Sequence, residues 1–125
     1  METVLVVLPL PSPYLSPNKP TSSMGGRMRK ASIAKKYRRL AKEAAKEEGI
    51  EETWQKATIQ ATFYHKQKRN RDDINHMAML KSAYDGIVDS GLLEDDSSEH
   101  LTTLPATFKI DKKFPRVELL IERVK

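Results

Sequence analysis

The sequence contains no cysteine, few aromatic residues and no long apolar run. Without cysteine, the chain has neither disulfides nor the thiolate ligands of a structural zinc site, which suits a reducing cytoplasm. Aromatic residues make up 6% of the chain, too few for a ladder of base-stacking platforms. The only early apolar run, residues 4–10, is too short to span a bilayer and follows the acidic Glu2 rather than a basic stretch. We therefore expect no membrane partner and one domain, residues 1–125, with a modest core.

Charge is abundant and unevenly divided. The net charge is +5, but residues 1–71 carry 15 Lys and Arg against 6 Asp and Glu, whereas residues 72–125 carry 7 against 11. The basic half predicts a polyanionic partner. A protein that merely coats DNA would leave the acidic half without a role, so the carboxylates are expected to serve another purpose.

Hydrophobic periodicity predicts an α+β fold in the order β-α-β-α-β-β, a small mixed β-sheet with helices packed on one face. An irregular proline-rich loop, residues 9–30, is expected between the first strand and a helix capped by Ser32. Pro105 indicates an edge position or a bulge in its strand. The predicted strands are residues 4–8, 56–66, 101–110 and 116–122, and the predicted helices are residues 33–48 and 75–91.

Two acidic groups flank the second predicted helix. Asp72 and Asp73 lie between a predicted strand and the start of the helix, and Glu94-Asp95-Asp96 follows the end of the helix. Carboxylates in such positions suit Mg²⁺ or Mn²⁺, which favour oxygen ligands. The alternatives are helix capping by the first pair and a solvated acidic loop for the second group.

The helix between the acidic groups is about 25 Å long at 1.5 Å per residue. Its two ends can therefore meet only if the chain after Gly91 folds back, or if two subunits share the site. Lys81 lies beside the apolar stripe of this helix, with Asp85 one turn further on. Lys81 is either an exposed partner of Asp85 or a cation held near the carboxylates to stabilise phosphorane charge.

These residues occur in a recognisable order: basic residues, an aspartate, an asparagine, a helix with a lysine, an aspartate four residues on, a glycine with two apolar residues, and two aspartates. The order resembles the RusA family of crossover-junction endodeoxyribonucleases, small Holliday-junction resolvases of phage and prophage origin. Segments 8–18, ending in Asn18, and 35–44 are similar to the family's proline-rich entry and first basic helix. Ile74 stands at the family's second aspartate, with Asp73 or Asn75 as the nearest oxygen donor. The matching residues are Arg69, Arg71, Asp72, Asn75, Lys81, Asp85, Gly91, Leu92, Leu93, Asp95, Asp96 and Ser97.

The resemblance implies a homodimeric, Mg²⁺-dependent nuclease (Mn²⁺ being the other candidate ion) that resolves four-way DNA junctions by paired nicks. It implies that Asp72 and Asp96 are the principal metal ligands, with Asp73 and Asp95 as further candidates, and that Lys81 assists electrostatically. The catalytic set is then Asp72, Asp73, Lys81 and Asp96. A branch or flap nuclease and a junction-binding protein with an impaired metal site are the alternatives. The predicted DNA-binding residues are Asn18, Arg27, Arg29, Lys30, Lys35, Lys36, Arg38, Arg39, Lys66, Lys68, Arg69 and Arg71.

Overall fold

The structure, a computed structural model, describes residues 2–16, 23–68 and 73–125. Within these ranges, helices pack against a mixed sheet, which confirms the predicted α+β class. The sheet has five strands where the sequence predicts four. The elements are strands β1 (Thr3–Leu8), β2 (Ala57–His65), β3 (Leu101–Thr103), β4 (Thr107–Ile110) and β5 (Arg116–Arg123), helices α1 (Met24–Glu47), α2 (Asp73–Ala78) and α3 (Lys81–Asp89), and a short 3₁₀ helix, Pro13–Leu15.

The sheet is organised around its last strand in sequence. β5 lies between β1 and β2 and is antiparallel to both, while β3 and β4 pair one after the other, in parallel, with β2. Alternate residues point to one face, so that Val6 of β1 and Leu119 of β5 are paired and fully buried. Leu5 and Val7, on the other face, remain 44% and 42% exposed. The core therefore lies on one side of the sheet.

Helices α1 and α3 cover the core side of the sheet. Tyr37 and Ala41 of α1 and Tyr84 and Ile87 of α3 join the buried residues of the strands in one cluster. The two helices approach closely at Gly86, where an added Cβ would lie 2.1 Å from the carbonyl oxygen of Arg38. The absence of a side chain at Gly86 thus sets the distance between α1 and α3.

The prediction that α1 begins at residue 33 after a loop is wrong. The helix begins at Met24, because the Ser23 hydroxyl accepts a hydrogen bond from the Gly26 N–H at 3.0 Å and caps it. Gly25 and Gly26 each disfavour helix by about 1 kcal/mol, which the cap and the long helix that follows offset. The basic residues of segment 27–30 are therefore helical and not part of a loop.

The prediction of one helix from residue 75 to 91 is also wrong. The helix is broken at Met79 and Leu80 into α2 and α3. The Leu80 N–H donates to the Met77 carbonyl at 3.1 Å, a tighter turn than an α-helix makes, and the Leu80 side chain is fully buried. Burial of Leu80 suits either arrangement, so the apolar pattern did not reveal the break.

The four predicted strands are confirmed, with one interruption. The third predicted strand is divided at Pro105 into β3 and β4, which lie at the edge of the sheet. Proline has no N–H to donate to a neighbouring strand, and this explains both the interruption and the edge position.

Candidate functional site

A three-residue charge cluster forms at the start of α3. The Lys81 ammonium donates to the Asp85 carboxylate at 3.0 Å, one turn along the helix, and also to the Asp96 carboxylate from the loop after α3. The side chains differ in exposure: Lys81 is 66% exposed, Asp85 29% and Asp96 17%. Two carboxylates are therefore held on one cation at the surface. We call Lys81, Asp85 and Asp96 the lysine–aspartate cluster.

The electrostatics of this cluster follow from its hydrogen bonds. The bond from Lys81 holds the pKa of the Asp96 carboxyl below its ordinary value, although partial burial opposes this effect. The bonds to Asp96 and Asp85 in turn raise the pKa of Lys81. Asp96 is therefore a carboxylate, and Lys81 an ammonium, throughout the neutral range.

Asp96 reaches Lys81 because the chain folds back after α3. Gly91 has a φ of 89°, in the left-handed region that favours glycine, and reverses the chain there. Backbone hydrogen bonds then fix the reversed segment on Trp54. The backbone N–H of Trp54 donates to the Leu92 carbonyl at 2.7 Å, and the backbone N–H of Glu94 donates to the Trp54 carbonyl at 3.1 Å. Trp54 and Leu93 are fully or almost fully buried. The chain does fold back after Gly91, as one of the two predicted routes requires, and it brings Asp96 to Lys81. Asp72, which that route was expected to meet, lies outside the described residues.

A second ion pair joins the basic helix α1 to α3 beside this cluster. The Arg38 guanidinium makes two hydrogen bonds to Asp89, at 2.5 and 2.9 Å, and lies 3.9 Å from Asp85. The pair with Arg38 lowers the pKa of the Asp89 carboxyl. Arg38, predicted to contact DNA, is therefore already engaged by Asp89.

The structure places the predicted acidic residues unevenly. Asp96 belongs to the lysine–aspartate cluster, whereas Asp95 is exposed and has no hydrogen bond or ion pair to any described residue. Asp73 begins α2, but its side chain lies outside the described part of the chain, as does Asp72 entirely. Asp85 was not among the predicted metal ligands, although its spacing of four from Lys81 was the signal for it. Across residues 2–16, 23–68 and 73–125, no group of three or more His, Asp or Glu side chains is arranged to hold a metal ion.

Most predicted DNA-binding residues within the described ranges are exposed. Lys30 is half-buried and lies with Lys81, Ser82 and Asp85 along a cavity of about 370 Å³ between α1 and α3. Asn18, Arg69 and Arg71 lie outside the described residues. The exposed basic residues are Arg27, Arg29, Lys35, Lys36, Arg38, Arg39, Lys66 and Lys68.

A cluster of rings fixes α2 at the carboxyl end of β2. Phe63 and Phe108 are stacked with ring centroids 5.4 Å apart, and the His76 ring stands perpendicular to both at 5.0 and 5.1 Å. His65 and His76 line a second cavity, of about 550 Å³, together with the proline-rich segment near Pro11. The ring packing therefore holds α2 beside the end of β2.

Compared with known proteins, the sequence matches no protein-family model and no curated protein. Among the residues that the structure describes, no helix has both the length and the apolar character needed to cross a bilayer.

Proposed function

We propose that this protein is a divalent-metal-dependent, structure-selective DNA endonuclease that resolves four-way junctions. The observation that carries the proposal is the lysine–aspartate cluster, because the fold-back places Asp96 beside Lys81 and Asp85. The resemblance to RusA resolvases supports the reaction and the substrate. The basic face of α1, adjoining the cluster through Arg38, supports a polyanionic partner.

The donor atoms of the cluster fit a hard divalent cation. Oxygens of Asp85 and Asp96 both lie within hydrogen-bonding distance of one nitrogen, so a single small cation can contact both carboxylates. Mg²⁺ needs only one or two carboxylates, since it usually retains several waters. In the proposal Asp96 and Asp85 hold the ion, with Asp72 and Asp73 completing the site. When bound, the ion would activate water and stabilise the charge that develops at phosphorus.

The protein's own groups would position the DNA and balance its charge. Exposed lysines and arginines of α1 and of the segment after β2 would bind backbone phosphates, which gives affinity without base readout. Lys81 would stabilise negative charge on the phosphate oxygens of the transition state. In the proposal the chain acts as a homodimer, because two sites related by a two-fold axis suit a nearly two-fold junction.

The test is cleavage of a synthetic four-way junction with Mg²⁺ or Mn²⁺, compared with chelator and with a matched linear duplex. Paired, metal-dependent nicks on the junction support the proposal. Preference for flaps indicates a branch nuclease instead, and binding without cleavage under either ion indicates a junction-binding protein.

A variant at Asp96 sharpens this test. We expect Asp96→Asn to reduce cleavage at least about 100-fold, since even outer partners of metal ligands cost about 10- to 100-fold. Junction binding, measured by fluorescence anisotropy, should be preserved or tightened because a repulsive charge is removed. Glu99→Gln, an exposed residue of the same loop, is the control for charge and should cleave normally. Equal activity in the two variants would remove Asp96 from the site.

A further inference from the structure

We propose that Lys81 occupies the position of the divalent cation in the metal-free protein, and that metal binding releases its ammonium towards a DNA phosphate. The inference deepens the proposed function, on which its second half rests. Its first half concerns metal binding alone and needs no DNA.

The geometry separates a mobile cation from two fixed carboxylates. Lys81 is 66% exposed and has a long flexible side chain, whereas Asp96 is 17% exposed and follows a segment fixed on Trp54. Asp85 lies on α3, within 3.9 Å of the Arg38 guanidinium. Removing the Lys81 ammonium therefore leaves both carboxylates close to their present positions. Lys81 has the longest and most exposed side chain of the three, so it is the member that leaves the cluster most readily.

Charge balance favours the exchange. Lys81 and Arg38 bring two positive charges to three carboxylates, those of Asp85, Asp89 and Asp96. Exchanging the Lys81 ammonium for a divalent ion would balance all three. The displaced ammonium has room in the adjoining cavity of about 370 Å³, which Lys30 and Ser82 also line. A backbone phosphate over this cavity would meet two lysines, and this would compensate Lys81 for the loss of its carboxylate partners.

Metal affinity tests the exchange directly. Titration of Mn²⁺ and Mg²⁺ into the full chain without DNA, followed by calorimetry, should show Lys81→Met binding about three- to tenfold more tightly than the wild type, because two exposed ion pairs no longer compete. Lys81→Arg keeps a competing cation and should bind metal as the wild type does. Lys46→Met, an exposed residue in the last turn of α1, controls for net charge. Unchanged or weaker metal binding by Lys81→Met, with Lys46→Met behaving normally, would overturn the proposal.

The second half of the inference is tested on the junction. Lys81→Met should bind metal more tightly and yet cleave more slowly, a combination that a purely structural lysine does not produce. Tighter metal binding with undiminished cleavage would overturn the release towards phosphate. If wild-type protein binds metal but cuts no DNA, the nuclease function fails while the exchange still stands on its own titration. Circular dichroism of each variant establishes that the fold is retained.

Discussion

Two buried tyrosines, Tyr37 of α1 and Tyr84 of α3, show what single hydroxyl groups contribute. The Tyr37 hydroxyl donates to the Pro9 carbonyl at 2.8 Å and so ties the segment after β1 to α1. The Tyr84 hydroxyl is buried and has no hydrogen-bond partner among the described residues. The two rings are similarly buried, but only one hydroxyl is satisfied.

We expect opposite effects from removing these hydroxyls. Tyr37→Phe leaves the Pro9 carbonyl without its donor and should lower the free energy of unfolding by about 1 kcal/mol. Tyr84→Phe removes an unsatisfied polar group and should be neutral or stabilising. Urea unfolding of both variants at neutral pH measures the difference. Equal destabilisation by both would mean that Tyr84 has a partner after all.

The raised pKa of Tyr84 predicts a loss of stability at alkaline pH. Burial raises the pKa of Tyr84 from 10.0 to about 12, so the unfolded chain loses its phenolic proton at lower pH than the folded chain. The part of the free energy of unfolding that depends on protonated Tyr84 is therefore fully present below pH 10 and is lost as the pH rises to about 12. Tyr84→Phe should flatten the decline in stability over that interval. An unchanged slope would exclude Tyr84 as its source.

At the scale of elements, two helical glycines, Gly86 and Gly25, differ in the space around them. A Cβ at Gly86 would lie 2.1 Å from the Arg38 carbonyl oxygen and 3.0 Å from the Lys42 nitrogen, whereas a Cβ at Gly25 meets nothing within 4 Å. Both glycines are helical. Only Gly86 is therefore required by helix–helix contact.

We expect Gly86→Ala to destabilise the fold by about 1–3 kcal/mol, because the backbone of α1 must move to relieve the overlap. Gly25→Ala should stabilise it by up to about 1 kcal/mol through helix propensity and reduced freedom of the unfolded chain. Thermal unfolding of the two variants gives both signs. A stabilising Gly86→Ala would contradict the close packing of α1 on α3.

Periodicity predicted the elements better than it predicted their ends. The alternation of β2, from Ala57 to Phe63, needed no tertiary information because one face of that strand is buried. The start of α1 was missed because glycines and exposed basic residues give no apolar stripe. The break at Leu80 was missed because a buried leucine fits a continuous helix and a break equally well.

At the scale of the whole molecule, the exposed cations of α1 should govern salt dependence. Lys35 is exposed on α1, and Lys112 is exposed in the turn between β4 and β5. In the proposed complex, the plot of log affinity against log salt has a negative slope. Lys35→Gln should make this slope less steep by about 0.9 if Lys35 contacts one phosphate. Lys112→Gln should leave the slope unchanged. Junction-binding isotherms at several salt concentrations measure both, and equal slopes for the two variants would exclude α1 as the DNA-binding face.

The sequence predicted which residues form the candidate site better than it predicted how they are arranged in space. Spacing alone related Lys81 to Asp85, since four residues are one helical turn. The approach of Asp96 depends on backbone hydrogen bonds between Trp54 and the segment after Gly91, more than 35 residues away in sequence. No local pattern encodes such a contact. Asp72 and the side chain of Asp73 lie outside the described residues, so their part in the site stays a prediction.

The central place of β5 affects how the molecule can assemble. Among the described residues, β1 does not pair with β2 and joins the sheet only through residues 116–123, which pair with β2 on their other side. The N-terminal strand must therefore wait for a partner more than 100 residues later in the chain, with Val4 and Val6 uncovered in the meantime. Such distant pairing slows folding and prolongs the exposure of apolar surface, through which partly folded chains aggregate. The refolding yield should therefore fall as protein concentration rises.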